Sequence, residues 1–228
     1  MAIRFLTDST ADILPQEAAQ RDIDVVPLKV LFGETAYRDG IDLDHPTFYQ
    51  MLSQSKALPT TSQPTPDDFL PYFERARDQG DHLICALLSS QLSGTVQSAQ
   101  IAREMCGYEH IYIIDSTLAI VALRAMLDLG EQLRSQGMSA PDIAAQIEAA
   151  KSRMRVFGIV DTLEYLHKGG RMSTSVAVVG SLLRVKPIIT LKDGVLGLVG
   201  KGVGTKGSLA GMLKQVGDDI HPDPRLPI

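Results

Sequence analysis

Short apolar runs alternate with helix-period segments along the N-terminal part of the chain, the pattern of βαβ units wound round a parallel sheet. Residues 2–7 (AIRFLT), 24–30 (DVVPLKV), 82–88 (HLICALL) and 111–114 (IYII) are predicted strands. Helices are predicted over 46–53 and 66–79, each opened by a proline in its first turn, over 92–106, and over the long apolar stretch 117–136, which reads as buried. Ser139, with Pro141 and Asp142, opens a further helix that ends near Lys151.

Beyond Lys151 the pattern changes. Residues 154–160, 187–191 and 195–199 are strand-like, and Lys192, Asp193 and Gly194 join the last two as a tight hairpin. A helix over about 204–217 follows, and then the proline-broken tail HPDPRLPI, whose ending reads as truncated. The expected fold class is α/β with two domains. Residues 1–152 form an N-terminal domain with a parallel sheet flanked by helices, and 153–228 form a C-terminal domain with a mixed or antiparallel sheet.

Composition narrows the class. With 44% hydrophobic and 21% charged residues among 228, the chain can bury a core, which excludes disorder, collagen and coiled coil. A net charge of −5 excludes a broad nucleic-acid surface, which needs clustered Lys and Arg. No apolar run reaches the ~18–20 residues of a membrane-spanning helix, and MAIRFLTDST lacks the apolar stretch of a signal peptide, so a cytoplasmic location is expected. Cys85 and Cys106 have no metal-ligand spacing and are expected to be inert. Without Trp, and with eight Met, the interior is aliphatic; such an interior serves as plain core or encloses a flexible chain.

Candidate chemistry gathers at the strand ends. Asp8, Ser9 and Thr10, then Ser89 and Ser90, then Asp115, Ser116 and Thr117 follow three predicted parallel strands, where open α/β sheets bind ligands. Helix capping accounts for the same residues. The run Ser89 to Thr95 holds more hydroxyls than one cap needs; with Gly94 and the following helix N-terminus it makes an anion site of neutral donors. The run from Leu58 to Pro66, stiffened by three prolines, is either a rigid linker or a second set of pre-positioned hydroxyls. Neutral donors suit a single carboxylate better than a phosphate, which recruits Lys or Arg. The helix at 117–130 and the run Val176 to Val179 are candidate walls of an aliphatic pocket, or core.

Other motifs are weaker. Gly202 to Gly207 fits G-x-G-x-x-G but follows a predicted hairpin rather than a βαβ strand. There is no G-x-S-x-G, and no His is placed by sequence beside Ser93, so nucleophilic catalysis fits poorly. Gly169 and Gly170 end a short helical segment as a glycine cap, or present Arg171 outward to an anion or partner.

The motifs YRDGIDL, LPTTSQPTPDDF, LSSQLSGTVQSA, IIDS, LEYLHKGGRMS and VKPIITLKDG, in this order and following Asp8-Ser9, resemble the bacterial DegV family over most of the chain. The resemblance implies two α/β domains with a long-chain, palmitate-like fatty acid in an apolar tunnel between them and no other cofactor. It implies that the carboxylate is held by Thr61 and its neighbour Ser62, and by Ser93 and Gly94. It further implies a carrier rather than an enzyme, one that presents the carboxylate to an ATP-dependent fatty acid kinase with Arg171 on the docking face. Ile120, Ala122 and Arg124 stand where members usually have small residues, Val203 stands where a second basic residue is usual, and the family's C-terminal histidine segment is missing. The competing reading is an enzyme acting on a small carboxylated or phosphorylated metabolite at the strand tips.

Overall fold

The computed structural model describes residues 1–172 and 184–219. The chain divides into two compact units, Met1–Arg153 and Met154–Ile228. The first is built on a four-stranded parallel sheet of β1 (Ile3–Asp8), β2 (Ile23–Val26), β6 (His82–Leu87) and β7 (Ile111–Asp115), in the order β2-β1-β6-β7. Between these strands lie α1 (Pro15–Arg21), β3 (Lys29–Phe32), β4 (Thr35–Arg38), α2 (His45–Gln54), β5 (Thr60–Ser62), α3 (Pro66–Gln79) and α4 (Thr95–Cys106). After β7 come α5 (Ile120–Ser135) and α6 (Ala140–Ala150).

Strands β1 and β6 are buried along nearly their whole length because helices cover both sheet faces, which is why they read as continuous apolar runs. On one face Phe69, Phe73 and Ala76 of α3 and Val96, Ala99 and Ala102 of α4 pack with Leu6, Val26, Leu83 and Cys85. Towards α5 and α6, Phe5 fits so tightly over Gly130 that a Cβ there would lie 2.6 Å from its ring, with Ile147 at 3.0 Å. Helix α3 begins in a capping box, Asp68 accepting from both the Thr65 N–H and its hydroxyl, at 2.7 and 2.8 Å.

Three expectations need correction. The single strand at 24–30 is two strands in different sheets. Pro27 offers no N–H to a ladder, β2 ends at Val26, and β3 starts at Lys29 in an antiparallel sheet of order β4-β3-β5. The helix at 117–136 starts only at Ile120 and is amphipathic, burying Leu123, Met126 and Leu127 while Val121 is 64% exposed. The proline-rich run is not simply a linker, because Thr60–Ser62 pair with Leu31, Val30 and Lys29 as β5.

The second unit holds β8 (Val156–Ile159), α7 (Glu164–Lys168), β9 (Val185–Lys192), β10 (Val195–Val203) and α8 (Gly204–Asp219), with an antiparallel sheet of order β10-β9-β8. Asp193 and Gly194, at φ 52° and 82°, make the two-residue turn between β9 and β10. The G-x-G-x-x-G stretch begins in this hairpin's second strand, outside any βαβ unit. Gly202 serves packing, since a Cβ there would lie 2.3 Å from the Ser208 Cα. The run Val176 to Val179 and the tail from His221 lie outside the described residues.

Candidate functional site

The three strand tips of the parallel sheet are knit to one another by their polar side chains. Asp8 accepts from the Leu88 N–H at 2.7 Å through one oxygen and from the Thr10 N–H and hydroxyl, at 3.0 and 2.5 Å, through the other. Burial raises the Asp8 pKa above the usual carboxylate value, partly offset by those three donors. Ser9 Oγ accepts from the Leu28 N–H at 3.1 Å, filling the gap that Pro27 opens between β2 and β3. Asp115 accepts from the N–H groups of Ser90 and Thr117, both at 3.1 Å. The buried Ser116 hydroxyl both donates to and accepts from the Leu118 backbone at 3.0 Å. The capping reading therefore describes the two Asp-Ser pairs: their oxygens hold the loops in place.

The loop so held carries Ser93. After β6 the chain turns, with Leu92 N–H and Ser93 N–H bonding the Ser89 carbonyl at 2.9 and 3.2 Å, and enters α4 with Gly94 as its N-cap. Gly94 has no side chain to cap the first turn, so N–H groups there are left for another acceptor. Ser93 Oγ lies 2.9 Å from the buried Thr95 Oγ1, placing two hydroxyls at this helix start.

Thr61 and Ser62 lie on β5, both exposed. The residue after them, Gln63, connects the two segments: its Nε2 donates to Ser98 Oγ at 3.1 Å, and its carboxamide covers Gly94. The hydroxyl-rich runs at 58–66 and 89–95 thus converge on the first turn of α4, and the sequence reading missed the residue that joins them. The signal was present, as a long amide side chain between two hydroxyls and a proline. The arrangement offers neutral donors around the start of α4, and the loop that carries them is joined to the next strand tip by the Ser89 N–H, which bonds the Leu118 carbonyl at 3.0 Å.

Two further sequence features are placed differently. Arg124 pairs with Glu17 of α1 at 2.5 Å. Arg171 follows α7 in the second unit. The Gly170 N–H bonds the His167 carbonyl and the Arg171 N–H bonds the Leu166 carbonyl, with Gly170 at φ 73°, so the glycine pair ends the helix as a Schellman turn and leaves Arg171 exposed beyond it. The Arg171 guanidinium donates to the Gly169 carbonyl at 2.6 Å. Both cysteines are buried, and burial raises both thiol pKa values, that of Cys85 well above its ordinary value. Among the described residues no helix is long and apolar enough to cross a membrane.

Fold and site together define an α/β protein with a helix-start site of uncharged donors at the carboxyl end of a parallel sheet. The sequence pattern of the DegV family, described as an uncharacterised protein family, matches residues 2–225, and the chain belongs to that family. It is 37% identical over 197 residues to Protein DegV of Bacillus subtilis, covering 86% of this chain and 70% of the relative. Among solved structures, a DegV family protein from Thermus thermophilus described by its fatty acid binding superposes with a TM-score of 0.86 at 32% identity. That match covers 96% of this chain and 78% of the other. A stearic acid-binding protein from Eubacterium ventriosum superposes with the same score at 29% identity, over 96% and 76%.

Proposed function

We propose that the protein is a carrier of long-chain fatty acids that holds the ligand's carboxylate with the hydroxyls of Thr61, Ser62 and Ser93 and the backbone at Gly94. The observation that carries this reading is the convergence of the 58–66 and 89–95 segments on the first turn of α4 through Gln63. A carboxylate at a helix N-terminus is favoured by the orphan N–H groups and the helix dipole, and neutral hydroxyls add charge-assisted hydrogen bonds without the cation a phosphate recruits. The described relatives that bind fatty acids support the ligand class. The acyl chain is enclosed in an apolar tunnel. At roughly 0.8 kcal/mol per buried CH₂, a chain of about 16 carbons has driving force well beyond the ordering costs of binding.

The protein works as a non-enzymatic carrier that offers the bound carboxylate to an ATP-dependent fatty acid kinase, with Arg171, exposed beyond its Schellman turn, on the docking face. The engagement of Asp8, Asp115 and Ser116 in backbone bonds speaks against the alternative of an enzyme at the strand tips. Replacing Ser93 by Ala tests the head-group site. Losing a charge-assisted hydrogen bond weakens palmitate binding by about 1.5–3 kcal/mol, or roughly tenfold to a hundredfold. Affinity equal to that of the parent protein, measured by calorimetric titration, places the carboxylate elsewhere.

A further inference from the structure

The two halves of the proposed head-group site belong to different sheets. Thr61 and Ser62 lie on β5 of the β4-β3-β5 sheet, whereas Ser93 follows β6 of the parallel sheet, so no ladder hydrogen bond fixes one relative to the other. The arm that carries β5 is held through β3 and its flanks, where Leu28, Val30 and Leu43 are buried and Lys29 pairs with Asp68 of α3 at 3.1 Å, whereas β5 itself is three exposed residues. Gln63 ties the β5 end of the arm directly to α4. Its Nε2 bonds Ser98 Oγ at 3.1 Å, and Ser98 is buried one turn into α4, a fixed anchor. On the way its carboxamide passes over Gly94, where a Cβ would meet Oε1 at 2.2 Å and Nε2 at 2.6 Å. Gly94 itself has φ −77° and ψ 13°, which an alanine adopts without left-handed strain. The space occupied by the carboxamide, rather than the turn, is what calls for glycine there.

We propose that Gln63 is a positioning residue that sets the distance between the Thr61–Ser62 arm and the Ser93–Gly94 turn, and through it the selectivity for a carboxylate head group. A carboxamide nitrogen has two N–H donors, and one of them is committed to Ser98. The proposal rests on the carrier reading and deepens it at the same site.

The test is a cycle of Gln63→Ala, Gly94→Ala and the double variant, titrated with stearate and with octadecanol, which has the same chain length but no carboxylate. Each single variant weakens stearate binding by about five- to tenfold, the loss of one hydrogen bond's worth of positioning. Octadecanol affinity stays at the parental value, because the chain's contacts are untouched, and Tm falls by no more than the loss of the Ser98 hydrogen bond accounts for. The double variant binds stearate no more weakly than either single one, since the methyl of Gly94→Ala already displaces the flexible carboxamide. Parental stearate affinity in Gln63→Ala, additive losses in the double variant, or an equal loss of octadecanol overturns the proposal. Ser93→Ala in the same series separates the two readings: if it weakens stearate while Gln63→Ala does not, only the role of Gln63 fails, and if neither does, the head-group site itself fails.

Discussion

Thr117 and Ile120 adopt left-handed backbone, at φ 54° and 56°, where α5 leaves the tip of β7. Both are β-branched, the side-chain class least compatible with this region. Left-handed geometry costs an ordinary residue about 1–2 kcal/mol, and glycine's greater unfolded-state freedom returns about 0.5–1 of that. Ile120 is 47% exposed, so trimming it forfeits about half of the roughly 1.5–3 kcal/mol that full burial of an isoleucine gives. Strain relief and lost burial therefore nearly offset in Ile120→Gly, which is expected to change stability by less than about 1 kcal/mol, a shift of at most a few degrees in Tm; a loss of several kcal/mol would show that the left-handed backbone there carries no strain to relieve. At this scale the sequence was legible in kind rather than in role. Asp8 and Asp115 were recognisable as polar strand tips, but whether their oxygens met a ligand or the next loop's N–H groups depended on backbone positions some 25 to 80 residues away. Gln63 escaped notice for the same reason, its partner Ser98 lying 35 residues on.

Among the elements, those with strong local signals were readable. The helix over 66–79 carries its proline and capping box, and the hairpin at Asp193-Gly194 its two left-handed residues, so both stand where local chemistry puts them. The split of 24–30 was harder, because an apolar run with proline inside it fits one edge strand or two strands of different sheets. Strand β5 was invisible to pattern, being three exposed polar residues whose strand character comes only from pairing with β3. At the amino ends of β6 and β7, the His82 ring packs at a tilt against His110 with centroids 4.5 Å apart, and its Nδ1 lies 3.2 Å from the Tyr112 hydroxyl. Burial first, then His110 and the chain's amino terminus, lower the His82 pKa below 6.5, with Asp81 opposing. A base whose folded pKa is depressed is protonated more readily when unfolded, so its contribution is present above 6.5 and is lost as pH falls through that value. His82→Gln should thus lose less stability than the parent between about pH 7 and about pH 5. Parallel Tm-versus-pH curves for the two proteins would rule out this coupling.

For the whole molecule, family membership and the α/β architecture followed from motifs spread over most of the chain, and the structure's parallel and antiparallel sheets agree with that class. What pattern could not supply was the meeting of two distant hydroxyl runs, which required the β4-β3-β5 sheet to bring β5 beside α4. Function at this scale reduces to whether the assembled protein holds a fatty acid. Solvent extraction and mass spectrometry of freshly purified protein measure it directly. The account predicts a long-chain fatty acid in near-stoichiometric amount, and added palmitate raising the Tm of delipidated protein, as binding to the native state alone requires. Protein that carries no fatty acid and gains no thermal stability from palmitate or oleate would contradict it.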